Sequence, residues 1–209
     1  MVLKLKNNFN DALNKCLNKK EFTIPSIYIA VLHYPVYNRS GQVVATSVAN
    51  MDIHDISRTA KTYGVERFYI VTPIMEQREL VGKILRHWQS GYGAVFNPSR
   101  RKAFDITICA RDLQEVIDSI KKEKDADIKL VATGAGFKEN TITYESLRKE
   151  ILSDDKRTYL ILFGTGSGLI SEVIENADFR LEPIMGKNGY NHLSVRSAAA
   201  IVLDRLLRN

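Results

Sequence analysis

Tyr159-Leu160-Ile161-Leu162-Phe163, followed at once by Gly164-Thr165-Gly166-Ser167-Gly168, is the stretch on which the fold turns. Five apolar residues in a row, with no polar alternation, read as a strand covered on both faces, the habit of parallel sheets. The glycines at alternate positions that follow permit positive φ and let another group come close to the backbone. A buried strand opening into such a turn is the unit of an α/β sheet, whose ligands sit beyond the carboxyl ends of the strands.

The same rhythm runs outward in both directions. Strands are predicted at Ile27–Leu32, Arg67–Val71, Ile106–Cys109, Lys129–Ala132, Tyr159–Phe163 and Phe179–Leu181. Between them fall amphipathic segments at Ile53–Tyr63, Glu76–Gln89, Leu113–Lys122, Tyr144–Leu152, Leu169–Glu175 and Ser194–Leu207. Short strands alternating with longer helices imply one α/β domain over 25–209, with a mostly parallel sheet carrying helices on both faces. Residues 1–24 stand apart as a basic N-terminal extension or linker remnant, with a marginal helix along Leu5, Phe9, Ala12, Leu13, Cys16 and Leu17.

Composition narrows the classes. Apolar runs such as Ile27–Leu32 and Ala198–Leu203 fall far short of the ~20 residues that span a bilayer. No membrane role is expected, the first residues lack a signal-peptide pattern, and a cytoplasmic setting is expected. Cys16 and Cys109 are far apart, without CxxC or histidine spacing, so neither a disulfide framework nor a metal site is expected. The net charge is +6, and half of it comes from residues 1–24, where five lysines face Asp11 and Glu21. A basic excess attracts polyanions, nucleic acid among them.

Three post-strand segments carry candidate chemistry: Thr133-Gly134-Ala135-Gly136, Gly164–Gly168, and Pro183-Ile184-Met185-Gly186-Lys187-Asn188-Gly189-Tyr190. The Gly164–Gly168 loop has neither the lysine of a P-loop nor dinucleotide GxGxxG spacing, and the alternative is a tight strand-to-helix turn. Ser194 is positioned to cap the last helix, whose Val195, Ala198, Ala199, Val202, Leu203 and Leu206 recur at helical spacing. In the first helix, Ile53, Ile56 and Ala60 face inward, while His54, Arg58 and Lys61 share a polar face. Asn50 or Asp52 can cap its start, and Asp55 can pair with Arg58 across one turn. Trp88-Gln89-Ser90-Gly91-Tyr92-Gly93 and Asn97-Pro98-Ser99-Arg100-Arg101-Lys102 set aromatics beside glycines and cations, a composition that suits RNA. Trp88 continues the apolar face of Leu80, Ile84 and Leu85 and reads as core, leaving Tyr92, Arg100 and Arg101 as RNA contacts.

Taken together, Arg58-Thr59-Ala60-Lys61-Thr62-Tyr63-Gly64, the LILFGTGSGL loop and NHLSVRSAAAIVLDRL resemble, in order and spacing, the motifs of SPOUT-superfamily RNA methyltransferases. The likeness covers about Ile27 to Leu207. Within the superfamily, LEPI…YNHLSVRSAAA and Asn97-Pro98-Ser99-Arg100 are most similar to a small bacterial group related to a Thermotoga SPOUT protein. Members of that group also occur fused to the tRNA (guanine-N1)-methyltransferase, which is therefore an expected partner domain.

The resemblance implies a C-terminal trefoil knot, a homodimer, S-adenosylmethionine as cofactor, and RNA, tRNA first, as substrate. It assigns the cofactor slot to Thr133, Gly134, Leu162, Phe163, Gly164, Ile184, Met185, Tyr190, His192, Leu193 and Ser197. Arg58 takes the motif arginine position, with Asn50 and Asp52 as further catalytic candidates. Ribose 2′-O-methylating relatives carry an asparagine six residues before that arginine, where this chain has Asp52, with Asn50 eight before. Many also carry a glutamate in the second motif, replaced here by Gly-Thr-Gly-Ser-Gly. The expected reaction is methylation of a ribose hydroxyl. The alternatives are methylation of a base, with Asp52 or Asp55 as proton acceptor, a non-catalytic RNA-binding domain of the same fold, and an unrelated nucleotide-binding α/β protein.

Overall fold

A computed structural model describes residues 25–125, 127–153 and 157–208. The extension 1–24, with its expected marginal helix, lies outside the described residues. Strands β1 (Ser26–Leu32), β4 (Arg67–Val71), β5 (Thr107–Ala110), β6 (Ile128–Ala132), β7 (Thr158–Gly164) and β8 (Phe179–Arg180) form one sheet in the order β5-β4-β1-β7-β6-β8. Every pairing in it is parallel. The two longest strands, β1 and β7, lie side by side at its centre, Ser26 opposite Thr158 and Leu32 opposite Gly164.

Strand alternation sends Ile27, Ile29 and Val31 of β1 and Tyr159, Ile161 and Phe163 of β7 to one face. There they meet α1 (Asn50–Thr62), α2 (Met75–Gln89), α4 (Pro98–Phe104), α6 (Tyr144–Ser153) and α8 (Val195–Leu207). Tyr28, Ala30, Leu32, Leu160 and Leu162 go to the other face, under α5 (Leu113–Glu123) and α7 (Ser171–Glu175). Both faces are dry, so the central strands are apolar throughout. At about 1.5–3 kcal/mol for each fully buried large side chain, these two strands supply much of the driving force for folding.

Several local expectations change. A short hairpin, β2 (Val36–Tyr37) with β3 (Val43–Val44), occupies what reads in sequence as a polar loop. Its turn is closed by Asn38, whose side chain accepts from the Ser40 and Gln42 amides at 2.9 and 3.0 Å. The segment Tyr92–Lys102, read as an RNA surface and given no helix or strand, folds into α3 (Tyr92–Phe96) and α4, the latter capped by Asn97 accepting from the Arg100 amide at 3.0 Å. The last short helix, α7, starts at Ser171 instead of Leu169, because Leu169 extends to bridge Val36. On α1 the N-cap is Ala49, with no side-chain cap, so neither Asn50 nor Asp52 has that role. Ser194 does cap α8, accepting from the Ser197 amide. Trp88 packs half-buried against the core with Ile84 and Leu85 as expected, whereas Leu80 is exposed and Val81 takes the buried position.

Candidate functional site

Parallel strands end together, and three loops meet beyond the carboxyl ends of β6, β7 and β8. After β6, Thr133 turns back onto β7: its amide and hydroxyl both donate to the Leu162 carbonyl, at 3.1 and 2.8 Å. Leu162 and Phe163 are fully buried, so they form the floor of the loops, and the Leu162 carbonyl is committed to Thr133. After β8, the Leu181 amide donates to the Ala132 carbonyl at 2.9 Å, which starts the Glu182–Ser194 segment next to the Thr133–Gly136 loop. Asn191 then reaches over, its side-chain amide donating to the Ala135 carbonyl at 2.7 Å.

The walls of this cluster are apolar and uncovered. Met185, Tyr190 and Leu193 are 61%, 64% and 42% exposed, among the larger apolar exposures in the chain. Tyr190 meets the His192 ring edge-on at 5.6 Å. Ile184 packs partly into the core, and Ser197 lies exposed in the first turn of α8, its hydroxyl 2.9 Å from that of Ser194. A side chain at Gly136 would meet nothing within 4 Å. Uncovered apolar side chains beside loop backbone groups suit a purine ring, which needs flat apolar contact and a few directed hydrogen bonds. The residues present therefore fit an adenosyl group.

The glycine loop behaves differently from its expectation. A Cβ on Gly164 would sit 2.5 Å from the Leu169 amide nitrogen, and one on Gly166 2.7 Å from the Tyr37 carbonyl oxygen. What comes close to these glycines is the protein's own backbone. The Ser167 amide donates to the Tyr37 carbonyl at 2.7 Å and the Tyr37 amide to the Gly168 carbonyl at 2.9 Å, so the loop is clamped to the hairpin.

One buried group went unnoticed in the sequence. His33, directly after β1, is 2% exposed, with Nδ1 3.1 Å from the Thr46 hydroxyl. Thr46 in turn contacts the Thr165 hydroxyl, and Thr165 donates to the Leu32 carbonyl at 3.0 Å. Burial pushes the His33 pKa down to about 4, so its ring is neutral at physiological pH. The chain His33–Thr46–Thr165 joins the end of β1 to the loop after β7. A lone histidine without spacing partners gives no motif to find.

The catalytic candidates lie on α1, and the structure separates them. Asn50 is exposed in its first turn. Asp52 is not a free acceptor: it holds an ion pair with Arg196 of α8 at 2.9 Å, and its side chain is only 14% exposed. Asp55 also turns to Arg196, at 3.7 Å, instead of pairing with Arg58. Arg58 stands about 9 Å farther along the helix axis than Asp52. It is exposed, in a groove of about 260 Å³ lined by Lys61, Thr62, Asn97, Ser99, Arg100 and Ala103. On the same side, the His54 ring meets Trp88 and Phe104 edge-on at 5.4 and 4.8 Å, and burial, then the nearby Arg100 charge, lowers its pKa. Arg100 lies over the Trp88 ring at 4.6 Å. Tyr92 and Arg101 are exposed on α3 and α4. None of the residues lining the Arg58 groove belongs to the cofactor loops, and the Asp52–Arg196 pair ties α1 to α8, the helix that carries Ser197.

Residues 26–208 match the family model described as SAM-dependent RNA methyltransferase. An uncharacterized protein of Aquifex aeolicus is 42% identical over 181 residues, covering 87% of this chain and 88% of that protein. Proteins named tRNA (guanine-N(1)-)-methyltransferase from Oleidesulfovibrio alaskensis and Nitratidesulfovibrio vulgaris are 40% and 42% identical, but the chain spans only 46% and 42% of their lengths. Among solved structures, the SpoU methyltransferase AviRb from Streptomyces viridochromogenes, in complex with AdoMet, shares the fold with a TM-score of 0.55 at 14% identity. That match covers 88% of this chain and 57% of AviRb. TrmJ from Z. mobilis does so with a TM-score of 0.53 at 15% identity, over 89% and 69% of the two chains. By sequence, then, the chain belongs to the family of S-adenosylmethionine-dependent RNA methyltransferases, and it shares its fold with AviRb and TrmJ.

Proposed function

We propose that this protein methylates a ribose 2′-hydroxyl of RNA, tRNA being the first substrate to test, with the cofactor held between the Thr133–Gly136 and Ile184–Leu193 loops. The observation that carries the cofactor site is the set of uncovered apolar side chains, Met185, Tyr190 and Leu193, tied by Asn191 to the Ala135 carbonyl at the carboxyl end of the sheet. Leu162, Phe163 and Gly164 give that site its floor, and His192 and Ser197 its rim. The bound cofactor supplies a sulfonium-activated methyl group. In the transfer, the acceptor oxygen forms a bond to the methyl carbon, the sulfur–carbon bond breaks, and the hydroxyl proton passes to solvent or a nearby base.

Arg58 is the residue that addresses the acceptor. A guanidinium stays protonated, so it orients the hydroxyl or offsets an adjoining phosphate rather than taking the proton. Ribose is favoured over a base because Asp52 and Asp55, the proton acceptors that base transfer would use, are both turned to Arg196. Asn50, exposed at the start of α1, remains available to the acceptor. Arg58 opens on a groove that none of the cofactor-loop residues lines, which supports a homodimer in which one protomer's arginine serves its partner's slot. The trefoil knot and a fused arrangement with the guanine-N1 enzyme belong to the same reading. The first is supported by the bonding of the post-β8 segment across the post-β6 loop, the second by the two longer relatives.

Calorimetry with S-adenosylmethionine tests the site. The unaltered chain should bind, and Leu193→Asp, a change at an exposed loop position, should lose at least tenfold in affinity while keeping its thermal midpoint, since surface changes usually stay within about 0.5 kcal/mol. Equal affinity in the variant would move the cofactor elsewhere.

A further inference from the structure

Helix α3 is built inside out. Its buried positions are Gly93 and Ala94, the smallest side chains available, while Tyr92, Val95 and Phe96 are 73%, 80% and 73% exposed. The inward face has no room for anything larger: a Cβ on Gly93 would lie 2.7 Å from both His87 Nε2 and Trp88 Cε3. The helix is therefore pressed against the end of α2 and held with its large apolar side chains in solvent. Tyr92 and Phe96 are stacked, with centroids 6.0 Å apart and planes 21° from parallel. Among the described residues nothing covers this surface, and exposed apolar patches of this kind mark sites of contact with another molecule.

Charge says which molecule. From residue 86 to 104 the chain holds Arg86, Arg100, Arg101 and Lys102 and no acidic residue. Phe96 runs directly into Asn97, Ser99 and Arg100, which line the groove that also holds Arg58 and Lys61. Two flat rings, ending in a cationic groove, are complementary to a strand with exposed bases and a phosphate backbone. A duplex keeps its base faces stacked and offers its backbone, 2′-hydroxyls and minor-groove base edges instead.

We infer that Tyr92 and Phe96 form a stacking platform for unpaired nucleotides of a single-stranded RNA segment, whose phosphate backbone continues into the Arg58–Lys61–Arg100 groove. This rests on the RNA-methyltransferase reading and adds to it the class of RNA: a loop or other unpaired region, engaged through base faces. Stacking is tolerant of sequence, so the platform selects for single-strandedness and leaves base identity to other contacts.

The test is fluorescence anisotropy with the full chain and a labelled single-stranded RNA oligonucleotide of mixed sequence, alongside the duplex formed with its complement. The unaltered protein should prefer the single strand. Tyr92→Ala and Phe96→Ala should each weaken single-strand binding by about five- to a hundredfold, the range measured for loss of one stacked base. Duplex binding and the salt dependence should stay as they were. Phe96→Trp should retain affinity, and Arg100→Gln should lower the salt dependence instead. Equal single-strand affinity in the alanine variants overturns the platform while leaving the methyltransferase reading intact. No RNA binding by the unaltered protein overturns both. A dimer that falls apart on sedimentation when Tyr92 and Phe96 are changed to serine would assign the patch to a second copy of the chain and overturn the platform.

Discussion

At the residue scale, His33 is the group whose environment departs furthest from what a sequence can show. A histidine between Leu32 and Tyr34 carries no spacing signal, yet it is sealed beneath the hydroxyls of Thr46 and Thr165. Its folded-state pKa of about 4 lies below the usual 6.5, so the unfolded chain takes up a proton before the native one does. The stabilisation tied to the neutral ring is complete above about pH 6.5 and is lost as pH falls from there towards 4, amounting to roughly 2–3 kcal/mol. His33→Gln, which keeps a hydrogen-bonding side chain but cannot titrate, should flatten the stability profile across that window in chemical denaturation. An unchanged slope would mean that another group dominates acid sensitivity. Arg58 shows the opposite case: helical periodicity alone places it on a polar face, and it stands exposed there with Lys61, whereas His54 turns its ring to Trp88 and Phe104. The partner of Asp52 was not legible, because Arg196 is remote in sequence and only the packing of α8 on α1 brings them together.

At the element scale, periodicity worked wherever one element has one dry face. The central strands and the helices α1, α2, α5, α6 and α8 lie within a few residues of their expected positions. It failed where pieces were short. A two-residue strand has no period of its own: β8 is legible only through its place in the strand–helix alternation, the β2–β3 hairpin has no such place, and α3 hides because its pattern is inverted. The Gly164–Gly168 loop shows how one motif can carry either of two meanings: its glycines admit the protein's own backbone. Gly166 has a φ of +61° and faces the Tyr37 carbonyl, so an added methyl group meets both left-handed strain and a backbone collision. Gly166→Ala should cost about 1–3 kcal/mol and lower the thermal midpoint by several degrees. Gly136→Ala, at ordinary φ with open space around it, should be close to neutral. Equal midpoints for the two variants would contradict the clamped-loop account.

At the scale of the whole molecule, alternation of strands and helices foretold a parallel sheet covered on both faces, and the order β5-β4-β1-β7-β6-β8 delivers it. The order itself was not legible, since nothing in one strand names its neighbour. Among the described residues, no helix is long and apolar enough to cross a membrane. The loops after β6, β7 and β8 leave the sheet at its carboxyl end, and the Arg58 groove is lined by other residues, from α1 and from Asn97 to Ala103. That layout makes sense if donor and acceptor are held by different surfaces and joined only when RNA binds. Methyl transfer to a ribose hydroxyl is the step on which the other assignments depend. Incubating the protein with S-adenosylmethionine carrying a deuterated methyl group and unmodified bulk tRNA, then analysing nucleosides by mass spectrometry, should reveal a labelled 2′-O-methylnucleoside. Arg58→Ala should reduce that product by orders of magnitude while cofactor affinity holds. Label confined to a base would contradict the ribose assignment, and near-normal product from Arg58→Ala would contradict the catalytic role of that arginine.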